Sequence, residues 1–375
     1  MPNEDEAALR RQLRQSVSVF AQRNPGAARI RRLRTTPSGF DATIWAEMAE
    51  AGWLSLAVPE AAGGLGLGLA ELCAVAEELG AGLAPEPFVA GTLAIAVAAS
   101  GGTCVQQRAA LAWQEAENTL DPIDIETTAH PTPHGVLLSG TKRFIPAPAS
   151  VDGFIVTALA GGGLAAYWVP AEASGLHLAM QRAVDGSMLG TLHLDSVAVP
   201  HTACLLAPPH AAPVLVRALD EARVAVAAEL FGLLQRALAM TVQYTKDRSQ
   251  FGKPIGSFQV LQHRMVDLWM QQEVTRATLA DALATFARTT DPIQRAVAAS
   301  AAKARASTAA MLITRQSIQL HGGIGYADEH DIGLFLKRAI VLSGWLGSAA
   351  MHRRRYGALA PDWDSQDSKL EETTP

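Results

Sequence analysis

Cysteine is scarce. Cys73, Cys104 and Cys204 are the three in 375 residues, far apart and without metal-ligand spacing. That argues against a disulfide framework, offers no metal site, and points to a reducing, cytoplasmic setting. Charged residues are also few, at 18%, and Lys plus Arg (31) fall short of Asp plus Glu (36) for a formal net charge of −5. No basic excess suits a nucleic acid or an anionic membrane. The charged start of the chain, Met1 to Gln15, lacks an apolar signal core. Long hydrophobic runs are missing too. The longest, Phe88 to Ala99, is Ala-rich, interrupted by Gly91 and short for a bilayer, so it reads as a buried helix. No strand–Gly-rich-loop–helix unit occurs, which argues against a nicotinamide-type dinucleotide domain.

What is present is apolar bulk. The chain is 49% hydrophobic, which excludes disorder as the dominant state and supports two or three packed units. Leu9, Leu13, Val17 and Phe20 recur at helical spacing within Ala7 to Arg23, and Phe40 to Ala51 and Leu69 to Leu79 repeat the pattern. Between the last two lies a turn-rich stretch from Gly52 to Gly68. Its Gly63 to Gly68 run has the composition of a phosphate loop, but it also suits a packed turn between helices. The texture changes near Ala109. Gly135 to Gly140 reads as a strand and turn, Phe154 to Ala160 and Leu164 to Val169 as a hairpin about Gly161 to Gly163, and Leu192 to Pro200 as a strand. Helical periodicity returns over Pro213 to Lys246 and Phe258 to Ala287. Asp291-Pro292 then starts a third helix, with Asp as N-cap and Pro at the first position, and Gly333 to Gly344 suggests a fourth. The expected fold is α+β and mostly α: an N-terminal helical domain (1–108), a small middle β-domain (109–208), a C-terminal antiparallel four-helix bundle (209–360) and a frayed polar tail (361–375).

Two segments carry chemistry. Arg248-Ser249-Gln250-Phe251-Gly252-Lys253-Pro254 ends one long helix in a cationic, Gly/Pro-broken turn before the next begins. An Arg fork and free N–H groups at a helix start suit a pyrophosphate, and Phe251 offers a face to an adenine. An interhelical turn with a solvated Arg accounts for the same residues. Gln319-Leu320-His321-Gly322-Gly323-Ile324-Gly325-Tyr326 ends a helix in glycines. These permit close approach of a ligand or second chain, or a simple helix stop with an aromatic packing residue.

In this order, the two segments resemble the "RxQFG" and "QxxGGxGY" signatures of the acyl-CoA dehydrogenase family. Gly52-Trp53 to Gly66 resembles its N-terminal "GWLGLxxPEEYGGxG" stretch, and Lys142-Arg143-Phe144-Ile145 its "KxWIT" strand. The resemblance covers roughly residues 7 to 357. It implies FAD, an acyl-CoA substrate desaturated at Cα–Cβ by a Glu base and flavin N5, and an electron-transfer flavoprotein as acceptor. It further implies that FAD lies at a subunit interface, with its ADP half clamped by the neighbour. On that resemblance Arg248, Gln250, Phe251, Gly252, Gln319, Gly322 and Gly323 are the cofactor-binding residues. The flavin-facing half departs from the pattern. "TEPxAGSD" is replaced by Ala112 to Asp121 without the Gly-Ser pair, and Phe144 and Pro146 stand for the Trp and Thr of "KxWIT". Leu346 and Ala222 occupy the two positions where the family places its base, and Glu221 is one residue, about 100°, off. The chain therefore resembles the base-lacking subunit of bacterial α2β2 acyl-CoA dehydrogenases, such as those acting on steroid acyl-CoAs. A self-sufficient homotetramer using Glu221 and a non-catalytic scaffold are the alternatives.

Overall fold

Periodicity at three and four residues becomes five helices at the start of the chain: α1 (Glu4–Arg23), α2 (Gly26–Leu33), α3 (Ala42–Glu50), α4 (Leu69–Ala81) and α5 (Phe88–Ser100). The computed structural model describes residues 4–102 and 108–360, so the tail assigned to 361–375, and Cys104, lie outside the described residues. The Gly63 to Gly68 run is a packed turn. Its N–H groups go to neighbouring carbonyls, Leu65 to Ser55, Gly66 to Val58 and Leu67 to Leu56, which leaves them unavailable to a phosphate.

Strands follow: β1 (Ala109–Ala112), β2 (Thr128–Thr132), β3 (Gly135–Pro146), β4 (Gly153–Ala160), β5 (Gly163–Pro170), β6 (Leu176–Arg182), β7 (Met188–Val199) and β8 (Cys204–Leu206). They form one sheet in the order β6-β7-β3-β2-β4-β5-β8, with β1 added parallel to β4. Ser139-Gly140 is not a turn. β3 runs on to Pro146 and absorbs the irregularity as register shifts against β7 between Leu138 and Gly140 and between Lys142 and Ile145. The sheet has two apolar faces, as its alternation requires. Ile155 faces the helices, whereas Phe154 and Val156 join a second core on the other side.

The last segment holds α6 (Ala211–Asp247), α7 (Gln259–Arg288), α8 (Pro292–His321), α9 (Ile332–Gly344) and α10 (Ala349–Leu359). Asp291 caps α8 through Ile293 N and Gln294 N. Buried alanines on α8 (Ala299, Ala302, Ala306, Ala309, Ala310) let it pack against α6, α7, α9 and α10. α4 and α6 approach so closely that a Cβ at Gly232 would collide with the Glu77 carbonyl, so no side chain larger than glycine fits there. By length and hydropathy, α6 and the Ile332–Leu359 stretch could cross a membrane. The apolar window of α6 is 78% buried within the molecule, and the second stretch is interrupted between Gly344 and Ala349.

Candidate functional site

The helix ends bring the two signature segments into one open groove of about 710 Å³. Arg248 and Gln250 come from the α6–α7 connection, and Gln319, Gly322 and Gly323 from the end of α8. Sequence reasoning missed Arg264, on the first turns of α7, and Tyr244; both line the same groove. Among the described residues no carboxylate lines it, and two guanidiniums do. A Cβ at Gly252, Gly322 or Gly323 would meet nothing within 4 Å, so each backbone is open to an approaching group. Phe251 sits at the tip of a short hairpin, Ser249–Gln250 against Lys253–Pro254, with φ of +55° and 91% exposure. Its ring meets Phe258 edge-on at 6.2 Å, and Lys253 stands 4.4 Å over Phe258. His321 is buried. Nδ1 lies 2.7 Å from Ser317 O, and the ring stacks on Tyr244 at 4.3 Å, so, although it lines the groove, it is engaged in holding the helix end.

Two other sequence features, the start of the 112–121 stretch and the Phe144–Pro146 strand, meet elsewhere, in a cavity between the N-terminal helices, the sheet and the end of α9. Trp113, Phe144, Pro146 and Trp345 line it together with Trp45 and Phe40. Its interior is about 40 Å³, room for a water or two. A neighbouring space shared with Phe40, Pro146 and Trp345 adds only about 50 Å³. Among the described residues no Asp or Glu lines the first cavity. Trp113 is 4% exposed. Phe144 adopts φ of +58° and Leu346 φ of +57°, conformations that cost a non-glycine residue of order 1–3 kcal/mol each.

The 113–121 stretch is fastened at both ends. Lys142, fully buried on β3, bonds Glu115 Oε1 at 2.6 Å and Thr157 Oγ1 at 3.0 Å. Glu115 also accepts from Thr127 N and Oγ1 at 3.1 and 2.6 Å. Burial pushes Lys142 down to about 8 despite that partner. Burial opposes ionisation of Glu115, but Lys142 and Thr127 outweigh it and hold its carboxyl below the ordinary value. At the far end, Arg223 Nη2 bonds Leu120 O at 2.5 Å and Arg223 Nη1 bonds Asp220 Oδ1 at 2.6 Å. Arg355 completes the triad on Asp220 at 2.5 and 2.9 Å. Of the basic run on α10, only Arg353 and Arg354 face solvent; His352 is fully buried.

The base positions follow from this packing. Leu346 is 1% exposed and Ala222 4%. Glu221 bonds Arg217 Nε at 2.8 Å and does not line the cavity. Lys303, buried on α8, donates to Leu342 O, Ser343 O and Gly347 O at 3.0, 3.3 and 3.1 Å, and His352 Nε2 reaches Leu346 O at 2.9 Å. Burial, with Lys303 and Arg223 nearby, lowers His352 from 6.5 to about 3. Protonation therefore favours the unfolded chain. Stability contributed by neutral His352 is complete above pH 6.5 and is lost as pH falls toward 3. The melting temperature is expected to drop across that window by more in the native chain than in His352→Gln. Parallel pH profiles for the two would contradict the assignment.

The chain matches the acyl-CoA dehydrogenase N-terminal domain over residues 7–113 and the acyl-CoA dehydrogenase C-terminal domain over residues 212–358. It is 32% identical to acyl-CoA dehydrogenase IpdE2 of Mycobacterium tuberculosis, covering 88% of this chain and 90% of that one. Acyl-CoA dehydrogenase FadE34 of the same organism is 31% identical over 89% of this chain, which spans about half (45%) of FadE34. Among solved structures, a variant of the Tcur3481-Tcur3483 steroid ACAD superposes with a TM-score of 0.82 at 32% identity, covering 95% and 97% of the two chains. The ChsE4-ChsE5 complex from Mycobacterium tuberculosis gives 0.84 at 25% identity, covering 94% and 98%.

Proposed function

The chain belongs to the acyl-CoA dehydrogenase family, and from that premise we propose that it is the clamp subunit of a two-chain, FAD-dependent acyl-CoA dehydrogenase. One observation carries the reading. The groove built from the two signature segments is open at about 710 Å³, whereas the cavity where the flavin-facing stretches meet is filled to about 40 Å³.

The ADP half of FAD fits the groove: guanidiniums from Arg248 and Arg264, exposed glycine backbone, and, among the described residues, no carboxylate in the lining to repel phosphate. The ring half does not fit this chain's own cavity, whose walls, Trp113 and Trp345 among them, leave about 40 Å³. When bound, the flavin accepts the β-hydride of the acyl thioester and passes electrons to an electron-transfer flavoprotein. This chain's residues hold the nucleotide end. Arg248 and Arg264 bind pyrophosphate oxygens, Gln250 and Gln319 supply amide contacts, and Phe251 offers an exposed aromatic face. The partner is a homologous subunit that supplies the ring pocket and the base, in an α2β2 assembly. α7 supports a partner: Val260, Val266, Trp269 and Val274 each stay more than half exposed on the helix that carries Arg264. Two solved relatives are named as pairs of chains, and the half-length match to FadE34 leaves room for a second unit. A steroid-derived or otherwise bulky acyl group is the proposed substrate class, since Tcur3481-Tcur3483 is named a steroid ACAD.

The reading is tested by dye reduction. The chain alone is expected to reduce no acceptor dye with any acyl-CoA, and to gain activity when co-purified with its homologous partner. Activity of the lone chain that Glu221→Gln abolishes would instead support the self-sufficient enzyme. No flavin with any partner would support the scaffold.

A further inference from the structure

The second half of the groove is anchored from outside the bundle. Nothing packs where Cβ atoms of Gly322 and Gly323 would stand, so that part of the groove wall has no support from the front. Tyr244 Oη holds its start through His321 O at 3.1 Å, and further support comes from just downstream. Arg34, at the end of α2, binds Asp328 through two parallel bonds, Nη1 to Oδ1 at 2.9 Å and Nη2 to Oδ2 at 2.8 Å. Arg31 Nε bonds Asp328 O at 2.8 Å and Arg31 Nη1 bonds Asp331 Oδ1 at 2.7 Å. Lys337 stands 3.8 Å from Asp328. α2 is itself held rigidly. Arg29 pairs with buried Glu86, Ile30 and Leu33 are buried, and Arg182 of β6 bonds Thr36 O at 2.9 Å.

We propose that Arg31, Arg34, Asp328 and Asp331 form an ionic positioning clip that sets the Gly322–Tyr326 wall of the nucleotide groove and makes nucleotide affinity depend on ionic strength. The inference rests on the clamp reading, since it concerns the same groove. None of the four residues lines the groove, so they act through the backbone they hold. A single exposed ion pair contributes little, but a bidentate pair within a network of three cations and two carboxylates holds geometry as well as charge. The side chains of Arg34 and Asp328 are 40% and 47% exposed, so dissolved salt reaches and screens them.

The test is calorimetric titration of the purified chain with ADP, at about 0.02 M and about 0.5 M NaCl. Arg34→Ala and Asp328→Asn are each expected to weaken binding about three- to tenfold at low salt. Their deficit against the native chain should shrink toward none at high salt. The shared sign is the discriminating readout. Simple long-range attraction would make Asp328→Asn bind the anion more tightly, because it removes a negative charge. The exchanged pair, Arg34→Asp with Asp328→Arg, should recover part of the affinity. Native affinity in both single variants, with Arg248→Ala still weakening ADP, overturns the clip and leaves the clamp reading standing. An Arg248→Ala chain that binds ADP as the native chain does, or a native chain that binds none, overturns the clamp reading and the clip with it.

Discussion

Replacing Arg338 by alanine is expected to cost about 3–5 kcal/mol of stability, the range for breaking a buried ion pair from one side. Arg338 on α9 joins parts of the chain far apart in sequence. Its Nη1 lies 3.1 Å from Asp185 Oδ2, in the turn between β6 and β7, and its Nη2 lies 2.6 Å from Glu229 Oε1 on α6. Asp185 and Glu229 are themselves buried. Burial opposes the Arg338 charge, but these two carboxylates outweigh it and hold its pKa above the ordinary value. Alanine leaves both carboxylates buried without a cation. The two acids must then take up protons or open the contact between sheet and bundle. Urea unfolding should show a lower midpoint for Arg338→Ala. Adding Asp185→Asn and Glu229→Gln should restore part of the loss, because the uncompensated charges are then gone. A loss below about 1 kcal/mol would mean that water reaches the site and the rivet is not needed.

Removing both groove guanidiniums, in Arg248→Ala with Arg264→Ala, is expected to weaken nucleotide binding by at least about 100-fold. Each hydrogen bond to a charged phosphate oxygen contributes roughly 1.5–3 kcal/mol, and among the described residues no other Arg or Lys lines the groove. The fold should tolerate the change, since both side chains line an open groove rather than the core. Flavin content of the co-purified two-chain complex measures the effect, with the melting temperature as control. Arg248→Lys should retain part of the binding but less than native, because a point charge replaces a planar fork. Full flavin content in the double alanine variant would mean that the arginines serve only as solvated turn residues.

Long, periodic elements were legible. The Asp291-Pro292 start of α8 and the hairpin of β4 and β5 lie where capping and turn chemistry put them. Short or exposed elements were not. α2 is eight residues rich in arginine, and its cationic face has meaning only against Asp328 and Asp331, nearly 300 residues away in sequence. β6 is an edge strand, half-buried or exposed at every position, so it shows no alternation. Gly140 looked like a turn because a bulge and a turn call for the same residue. Each half of the site was read from short contiguous segments, 248–254 and 319–326 for one and 112–121 and 142–146 for the other. Arg264 could not be found that way. It lies outside both motifs, and only the path of α7 beside the end of α8 brings it to the groove. The filling of the cavity was likewise a question of volume. Trp113 lies in the 112–121 stretch that departs from the family pattern, but Trp45 and Trp345 join it from other elements.

The central claim is that this chain holds the nucleotide end of a flavin whose ring belongs to another subunit. The visible absorption spectrum tests it most directly, taken on the chain purified alone and again after co-purification with its homologous partner. The account predicts a colourless lone chain, and a yellow complex with half as many flavins as chains. Flavin bands in the lone chain at one flavin per chain would contradict it, because the ring would then have to enter a cavity of about 40 Å³ walled by Trp113 and Trp345.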